Sequence, residues 1–196
     1  MLLIQTALRC EAEPFIQHYK LVQDDAVLPY KFFRGETTAL LISGVGQEKA
    51  EAATEWIFSL LSPSLIDLYV NLGIAGSVTH PIGTPVVCTT ILNAETKEQF
   101  QLHSPSDLKL PQGTLETHLT PVGSSECLLN QDSLVDMEAY FCLRAASQFL
   151  PLEKIQVIKV VSDALSDKKP TKEHVTQLLR GALPDIETYL ANYLNL

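Results

Sequence analysis

Short apolar runs alternate with amphipathic stretches along most of the chain. Residues 2–8 (LLIQTAL) form an apolar run bounded by polar residues, which predicts a buried strand. The following CEAEPFIQHYK (10–20) has helical character, with Pro14 near its first turn, where a missing N–H costs little. A second strand is predicted at 37–43 (TTALLIS). It ends in Gly44-Val45-Gly46 and leads into a helix over 47–62 whose apolar positions are Ala50, Ala53, Ile57, Leu60 and Leu61. Further strands are predicted at 65–73, 84–93 and 155–163, the last two rich in β-branched residues. Residues 94–115 are polar and contain proline, which predicts a surface excursion, and HLTPVG (118–123) predicts a short strand. The stretch 133–150 (SLVDMEAYFCLRAASQFL) reads as a buried helix. The segment after Pro170 reads as mostly helix, interrupted near Gly181 and Pro184.

Strands alternating with helices, with apolar residues on both faces of the strands, define an α/β class. The expected architecture is a three-layer single domain over residues 1–196, with a central twisted mixed β-sheet flanked by helices. No repeat, low-complexity segment or linker divides the chain.

Composition narrows the partners. Hydrophobic residues make up 46 % and charged residues 19 %, the profile of a folded, core-rich chain. The net charge of −9 and the lack of any basic run argue against nucleic acid and anionic membranes as partners. A small molecule stays open, because a few local groups can dominate its site. Cys10, Cys88, Cys127 and Cys142 are scattered through apolar stretches and read as reduced core residues of a cytoplasmic protein. The five histidines are isolated, so no structural metal is expected, and nothing points to a cofactor. The N-terminus lacks the basic region and long apolar run of a signal peptide. The apolar stretch 57–78 is broken by Pro63, Asp67 and Asn71, which argues against a membrane span.

Ligands of open α/β sheets bind outside the carboxyl ends of the strands, so acidic residues there carry the chemistry, if any. Glu11 and Glu13 follow the first strand, and Asp163 closes the strand at 155–161. The turns Gly44-Val45-Gly46 and Gly73-Ile74-Ala75-Gly76 sit at two further strand ends. Each has a plain structural reading: Glu11 suits the first turn of a helix, Asp163 can cap a following turn, and such glycine turns are common. Ser133 and Asp136 resemble a capping box. Glu138 is harder to explain. At helical spacing it shares the apolar face with Leu134, Phe141, Cys142, Ala145 and Phe149, where an unpaired carboxylate costs several kcal/mol. These patterns alone reach no further than a small-molecule pocket.

Taken in order, ALRCEAEPF (7–15), ISGVGQEKAEAA (42–53), VNLGIAGSV (70–78), IGTPVV (82–87), LVDMEAYF (134–141) and VVSDALSD (160–167) resemble the nucleoside phosphorylase/nucleosidase superfamily. Within it the closest pattern is that of the methylthioadenosine/adenosylhomocysteine nucleosidases. The V-D-M-E-A stretch followed by V-S-D is the most specific part. The resemblance implies a single α/β domain, a homodimer, and N-glycosidic cleavage of a purine-type nucleoside without a cofactor.

It also implies roles. Glu138 would accept hydrogen bonds from the ribose hydroxyls with Met137 packed on the sugar. Asp163, oriented by Ser162, would protonate the purine N7, and Glu11 would orient the attacking water. Ile74, Ala75, Gly76, Gly44, Val45 and Gly46 would complete the substrate site. Glu11 stands where phosphorylases of the superfamily carry an arginine, which favours hydrolysis. The nearby Arg9 and the amides of residues 44–47 keep a phosphate partner, and hence phosphorolysis, as the alternative. A third reading is a non-catalytic nucleoside-binding or storage member. The sequence departs from the family at Ile74, where a small polar residue is usual. It departs again at Gly123-Ser124-Ser125-Glu126, read as the counterpart of a G-D-A-F-like stretch but without its aromatic. The excursion at 94–115 also looks trimmed. These departures point beyond methylthioadenosine and adenosylhomocysteine to futalosine-like or other modified nucleosides.

Overall fold

A computed structural model describes residues 1–26, 28–104, 109–165 and 170–194. In chain order its first half comprises β1 (Leu2–Thr6), α1 (Arg9–His18), β2 (Val22–Gln23), β3 (Lys31–Arg34), β4 (Thr38–Ile42), α2 (Gln47–Leu60) and β5 (Leu68–Gly76). The second half comprises β6 (Pro85–Asn93), β7 (Gln99–Gln101), β8 (Gln112–Thr117), β9 (Leu134–Asp136), α3 (Ala139–Ala146), β10 (Ile155–Asp163) and α4 (Lys172–Leu194). β1 lies between parallel neighbours β4 and β5, and β3 and β2 extend the β4 edge in antiparallel fashion. On the other side β5 pairs in parallel with β10, β10 antiparallel with β6, and β6 in parallel with β8. β8 pairs with β9, whose Val135 returns to Gly76 of β5. Strands β5, β10, β6, β8 and β9 therefore close into a ring at one side of a mixed sheet.

The period of two along each strand assigns its side chains to two cores. Leu3, Leu41, Tyr69 and Val157 pack with Ala50, Ala53 and Ile57 of α2 and Phe141 of α3. Leu2, Ile4, Leu40, Val70 and Ile158 pack on the other side with Phe15 of α1 and Val175, Leu179 and Ile186 of α4. All five residues of β1 are buried, as a strand covered by helices on both faces requires. Burying each large aliphatic or aromatic side chain contributes roughly 1.5–3 kcal/mol. The expected three-layer α/β class is the observed one.

Several local expectations differ from what forms. The stretch 94–115 contains β7 and the start of β8, because β6 offers hydrogen-bonding partners on both of its edges there. Residues 118–123 form no strand; the strand lies just before them, in β8. Residues 134–136 are strand β9 rather than the opening turn of a helix, and α3 starts only at Ala139. Leu134 and Val135 fit either period, and pairing with Leu115 and Glu116 of β8 decides between them. The capping box therefore does not form. The Ser133 hydroxyl is buried and has no partner among the described residues, and Asp136 itself accepts from the Ala139 amide at 2.9 Å.

α4 runs unbroken through Gly181 and Pro184, because Ala182, Ile186 and Leu190 keep one apolar stripe seated on the sheet. Cys88 and Cys142 are core residues, whereas Cys10 is half-buried and Cys127 is exposed in a short surface turn.

Pro14 lies in the interior of α1, beyond its first turn. It cannot donate to the Cys10 carbonyl, and the Thr176 hydroxyl of α4 supplies that bond instead at 2.9 Å. Thr176→Val should cost about 1 kcal/mol in urea unfolding, and the cost should nearly vanish in a Pro14→Ala background, where the helix regains its own donor. An equal cost in both backgrounds would locate the effect elsewhere.

Candidate functional site

β1 ends at Thr6, and the chain turns so that Glu11 faces inward from the first turn of α1. Its Oε2 accepts from the amides of Ala7 (3.0 Å) and Leu8 (2.8 Å), and its Oε1 from the Ile74 amide of β5 (3.0 Å). Gly73 makes this approach possible, since a Cβ there would lie 2.7 Å from Oε1. Burial raises the Glu11 carboxyl above its ordinary value, against the pull of the three amides and of Lys159.

Glu138 stands at the entry to α3, and its Oε1 accepts from the Gly46 amide at 2.8 Å. Gly46 is the residue that opens α2 and has a φ of 94°, a left-handed conformation that favours glycine. The other Glu138 oxygen accepts no hydrogen bond from the described residues. Desolvation first, and the neighbouring Asp136 charge second, push the Glu138 carboxyl up to about 7. Asp163, at the end of β10, accepts from the Ser162 hydroxyl at 2.7 Å and from the Leu165 amide at 2.9 Å. The second bond closes a small turn, so the capping reading of Asp163 holds in this local sense. Gly76 leaves room for that turn: a Cβ would meet Leu165 at 2.5 Å and Asp163 Oδ1 at 3.2 Å.

Glu11, Glu138 and Asp163 line one cavity of about 550 Å³ at the carboxyl ends of β1, β5 and β10. Val45, Ile74, Ala75, Gly76, Met137 and Ser162 line it too. Gly44 does not; its amide is taken by the Ala7 carbonyl at 3.0 Å. The amide turn expected to cradle an external anion is thus partly spent inside the protein, with Gly46 holding the Glu138 carboxylate. Arg9 is also outside the cavity. Two positions from Glu11 on a helix, it points away, pairs with Glu13 at 2.8 Å and stacks on Phe33. Gly123-Ser124-Ser125-Glu126 lie outside the cavity as well, and Pro121 and Val122 provide that wall.

Two groups escaped the sequence reading. Lys159, in the middle of β10, is buried and reaches Asp136 Oδ2 at 2.9 Å and Asn71 Oδ1 at 2.8 Å. Burial works against its charge, but Asp136, Glu138 and Glu11 together outweigh that and hold the lysine above its ordinary value. Asp136, which also accepts from Thr117 at 2.7 Å, lines the cavity beside Glu138. A lysine inside the β-branched run IQVIKVV was the available signal, because a buried charge requires a partner. The second missed group is Lys172, the one basic side chain among the described residues that line the cavity.

No protein-family model and no curated protein sequence matches the chain. Solved structures do match in shape, among them nucleosidases and a futalosine hydrolase. The 5′-methylthioadenosine nucleosidase of Arabidopsis thaliana superposes with a TM-score of 0.79 at 20 % identity, covering 99 % of this chain and 94 % of its own. A Helicobacter pylori methylthioadenosine nucleosidase mutant with 5′-methylthioadenosine in the active site gives 0.79 at 15 %, covering 97 % and 98 %. The futalosine hydrolase of Helicobacter pylori gives 0.78 at 14 %, covering 97 % of each chain. The chain therefore shares the fold of these nucleosidase and futalosine hydrolase structures.

The raised Glu138 carboxyl sets a pH signature. Between about 4.5 and 7 the folded protein binds a proton at Glu138 that the unfolded chain has lost, so this residue's contribution to stability falls as pH rises through that window. Glu138→Gln removes the effect. Relative to the parent, the variant should gain roughly 2–3 kcal/mol in urea unfolding between about pH 4.5 and pH 8. Parallel profiles for the two proteins would show that Glu138 titrates normally.

Proposed function

We propose that the chain is a nucleosidase that hydrolyses the N-glycosidic bond of a purine-type nucleoside. The observation that carries this reading is the convergence of Glu11, Glu138 and Asp163 on one largely apolar cavity. Asp163, held by Ser162 and the Leu165 amide, donates a proton to the purine N7 as the C1′–N9 bond breaks and its electron pair leaves with the base. Glu138 accepts from the ribose 2′- and 3′-hydroxyls, with Met137 against the sugar, and its ionised form stabilises the positive charge that develops on the ring. Glu11, whose affinity for a proton is raised by burial, orients the attacking water and takes its proton as the new C1′–O bond forms. Atoms balance as nucleoside plus water giving free base plus free ribosyl product.

Hydrolysis is favoured over phosphorolysis because Arg9 is turned outward onto Glu13 and Phe33, and the Gly44 and Gly46 amides are engaged within the protein. The three carboxylates and their donors speak against a degenerate, binding-only pocket. Methylthioadenosine, adenosylhomocysteine and futalosine-like nucleosides are the candidate substrates. The same proposal has the chain working as one nucleosidase-like domain over residues 1–196, as a cofactor-free homodimer in the cytoplasm. No helix among the described residues is long and apolar enough to cross a membrane.

The test is a panel of methylthioadenosine, adenosylhomocysteine, adenosine, inosine and futalosine, with and without phosphate, followed by chromatography of base, sugar and sugar 1-phosphate. Free base and free sugar without phosphate are expected; product only with phosphate would make the protein a phosphorylase. Asp163→Asn should lower kcat by about 10²–10⁴-fold with an unchanged circular dichroism spectrum. Undiminished base release from that variant would remove Asp163 from the mechanism.

A further inference from the structure

β8 and β9 run parallel, so the chain must cross over between them, and it does so through the irregular segment 118–133. Pro121 and Val122 of this segment form the cavity wall at the Asp163 end. Few contacts hold the segment to the rest of the protein. Leu128 is the one buried residue among the described residues 119–132, and it packs with Val122, Val135 and Leu165. The Ser124 hydroxyl, the Ser125 carbonyl and the Asn130 side chain are engaged by other residues of the segment itself.

Glu116 supplies the anchor that the segment otherwise lacks. Leu115, before it on β8, packs into the core shared with α2 and α3, so Glu116 faces the other side of the strand, where it is fully buried. Each carboxylate oxygen accepts a backbone amide of the segment, Oε1 from Asn130 at 2.8 Å and Oε2 from Leu129 at 3.0 Å. His118 Nε2 lies 3.3 Å from Oε2. A buried carboxylate without partners is costly, and these three groups meet that requirement. The two amides belong to the residues that follow Leu128, so they fix the position from which Leu128 supports Val122. Glu116 is also the register partner of Val135, and its neighbour Thr117 donates to Asp136 at 2.7 Å. The anchor and the acidic wall of the cavity are therefore built on the same pair of strands.

Resting on the nucleosidase reading, in which the base lies at the Asp163 end, we propose that Glu116 is a positioning residue that determines how tightly the leaving base is held. It touches no ligand. It acts through Leu129, Asn130 and Leu128 on Pro121 and Val122, whose placement opposite Asp163 sets the width of the slot for the base. An aliphatic wall makes this anchoring matter. Proline and valine hold a base by contact alone, and a gap of about 1 Å already forfeits roughly half of that attraction. Movement of the segment outward would therefore expose one face of the base to water. The ribose contacts of Met137 and Glu138, on the turn between β9 and α3, would be unaffected.

Calorimetric titration with free adenine and hypoxanthine reads the base end, and titration with iminoribitol, the pyrrolidine mimic of ribose, reads the Glu138 end. The parent, Glu116→Gln and Leu128→Ala are compared, and hydrogen exchange over 118–133 is followed by mass spectrometry. Glutamine keeps the volume but offers one acceptor oxygen where two amides must be met. Leu128→Ala cuts the same connection from its apolar side and leaves no polar group unpaired, so it carries the test where Glu116→Gln does not fold. Both variants should exchange faster over 118–133 and bind the bases roughly tenfold more weakly, with the affinity for iminoribitol unchanged. For any nucleoside that is cleaved, KM should rise by a like factor with kcat little altered, as the loss of uniform binding requires. An equal loss on base and sugar mimic, or undiminished base binding in the variants, would overturn the inference and leave the nucleosidase reading in place. Base binding that depends on Glu116, with no nucleoside cleaved, would keep the inference and remove the enzymatic reading. A parent protein that binds neither base nor sugar mimic would remove both.

Discussion

A lysine charge buried in the middle of a strand organises this molecule. Lys159 is buried, so its ammonium group must be met by protein atoms, and β9 and β5 supply them as Asp136 and Asn71. The contact ties three of the five strands that form the ring. It reinforces the junction of β9 with β5, where a single pair, Gly76 with Val135, links the two strands. Removing one partner of such a buried pair typically costs about 3–5 kcal/mol, because the other charge is left stranded. The same contact sets the electrostatics of the cavity. Lys159 moderates the burial cost of both Glu11 and Glu138, and those two in turn keep the lysine charged.

The carboxylates of the cavity serve the backbone and face the cavity at once. Glu11 satisfies two amides at the start of α1 and one on β5, Glu138 satisfies the amide that opens α2, and Asp163 closes a turn at the end of β10. Each is therefore fixed before any ligand arrives. Groups oriented in advance need not reorganise as charge develops on a reacting sugar and base, and this is the condition under which electrostatic stabilisation is largest. The structural and chemical readings of these acids do not compete here. An acid that holds the chain in place is held in place by it.

Amides at helix starts follow the same economy. The turn before α2 looks like an anion site and is one, but the anion is the protein's own Glu138. The start of α1 is closed by Glu11 in the same way. α4 is the exception among these three. Its first amides take no described acceptor, and it alone brings a basic side chain to the cavity.

The local pattern of residues determined the main strands, the α/β class, and the candidacy of Glu11, Glu138 and Asp163, because burial on two faces and strand-end position leave a direct mark on sequence. Where that mark is ambiguous, pairing at long range decided. Leu134 to Asp136 became a strand because β8 lay ready to pair with it, and α4 ran through Gly181 and Pro184 because its apolar stripe had a sheet to rest on. Arg9 and Glu11 are two residues apart in the chain, yet only the direction of α1 sends one outward and the other into the cavity. The partners of Lys159, on strands distant in the chain, were invisible for the same reason. A sequence records which groups must be satisfied, and only the folded chain determines by which others.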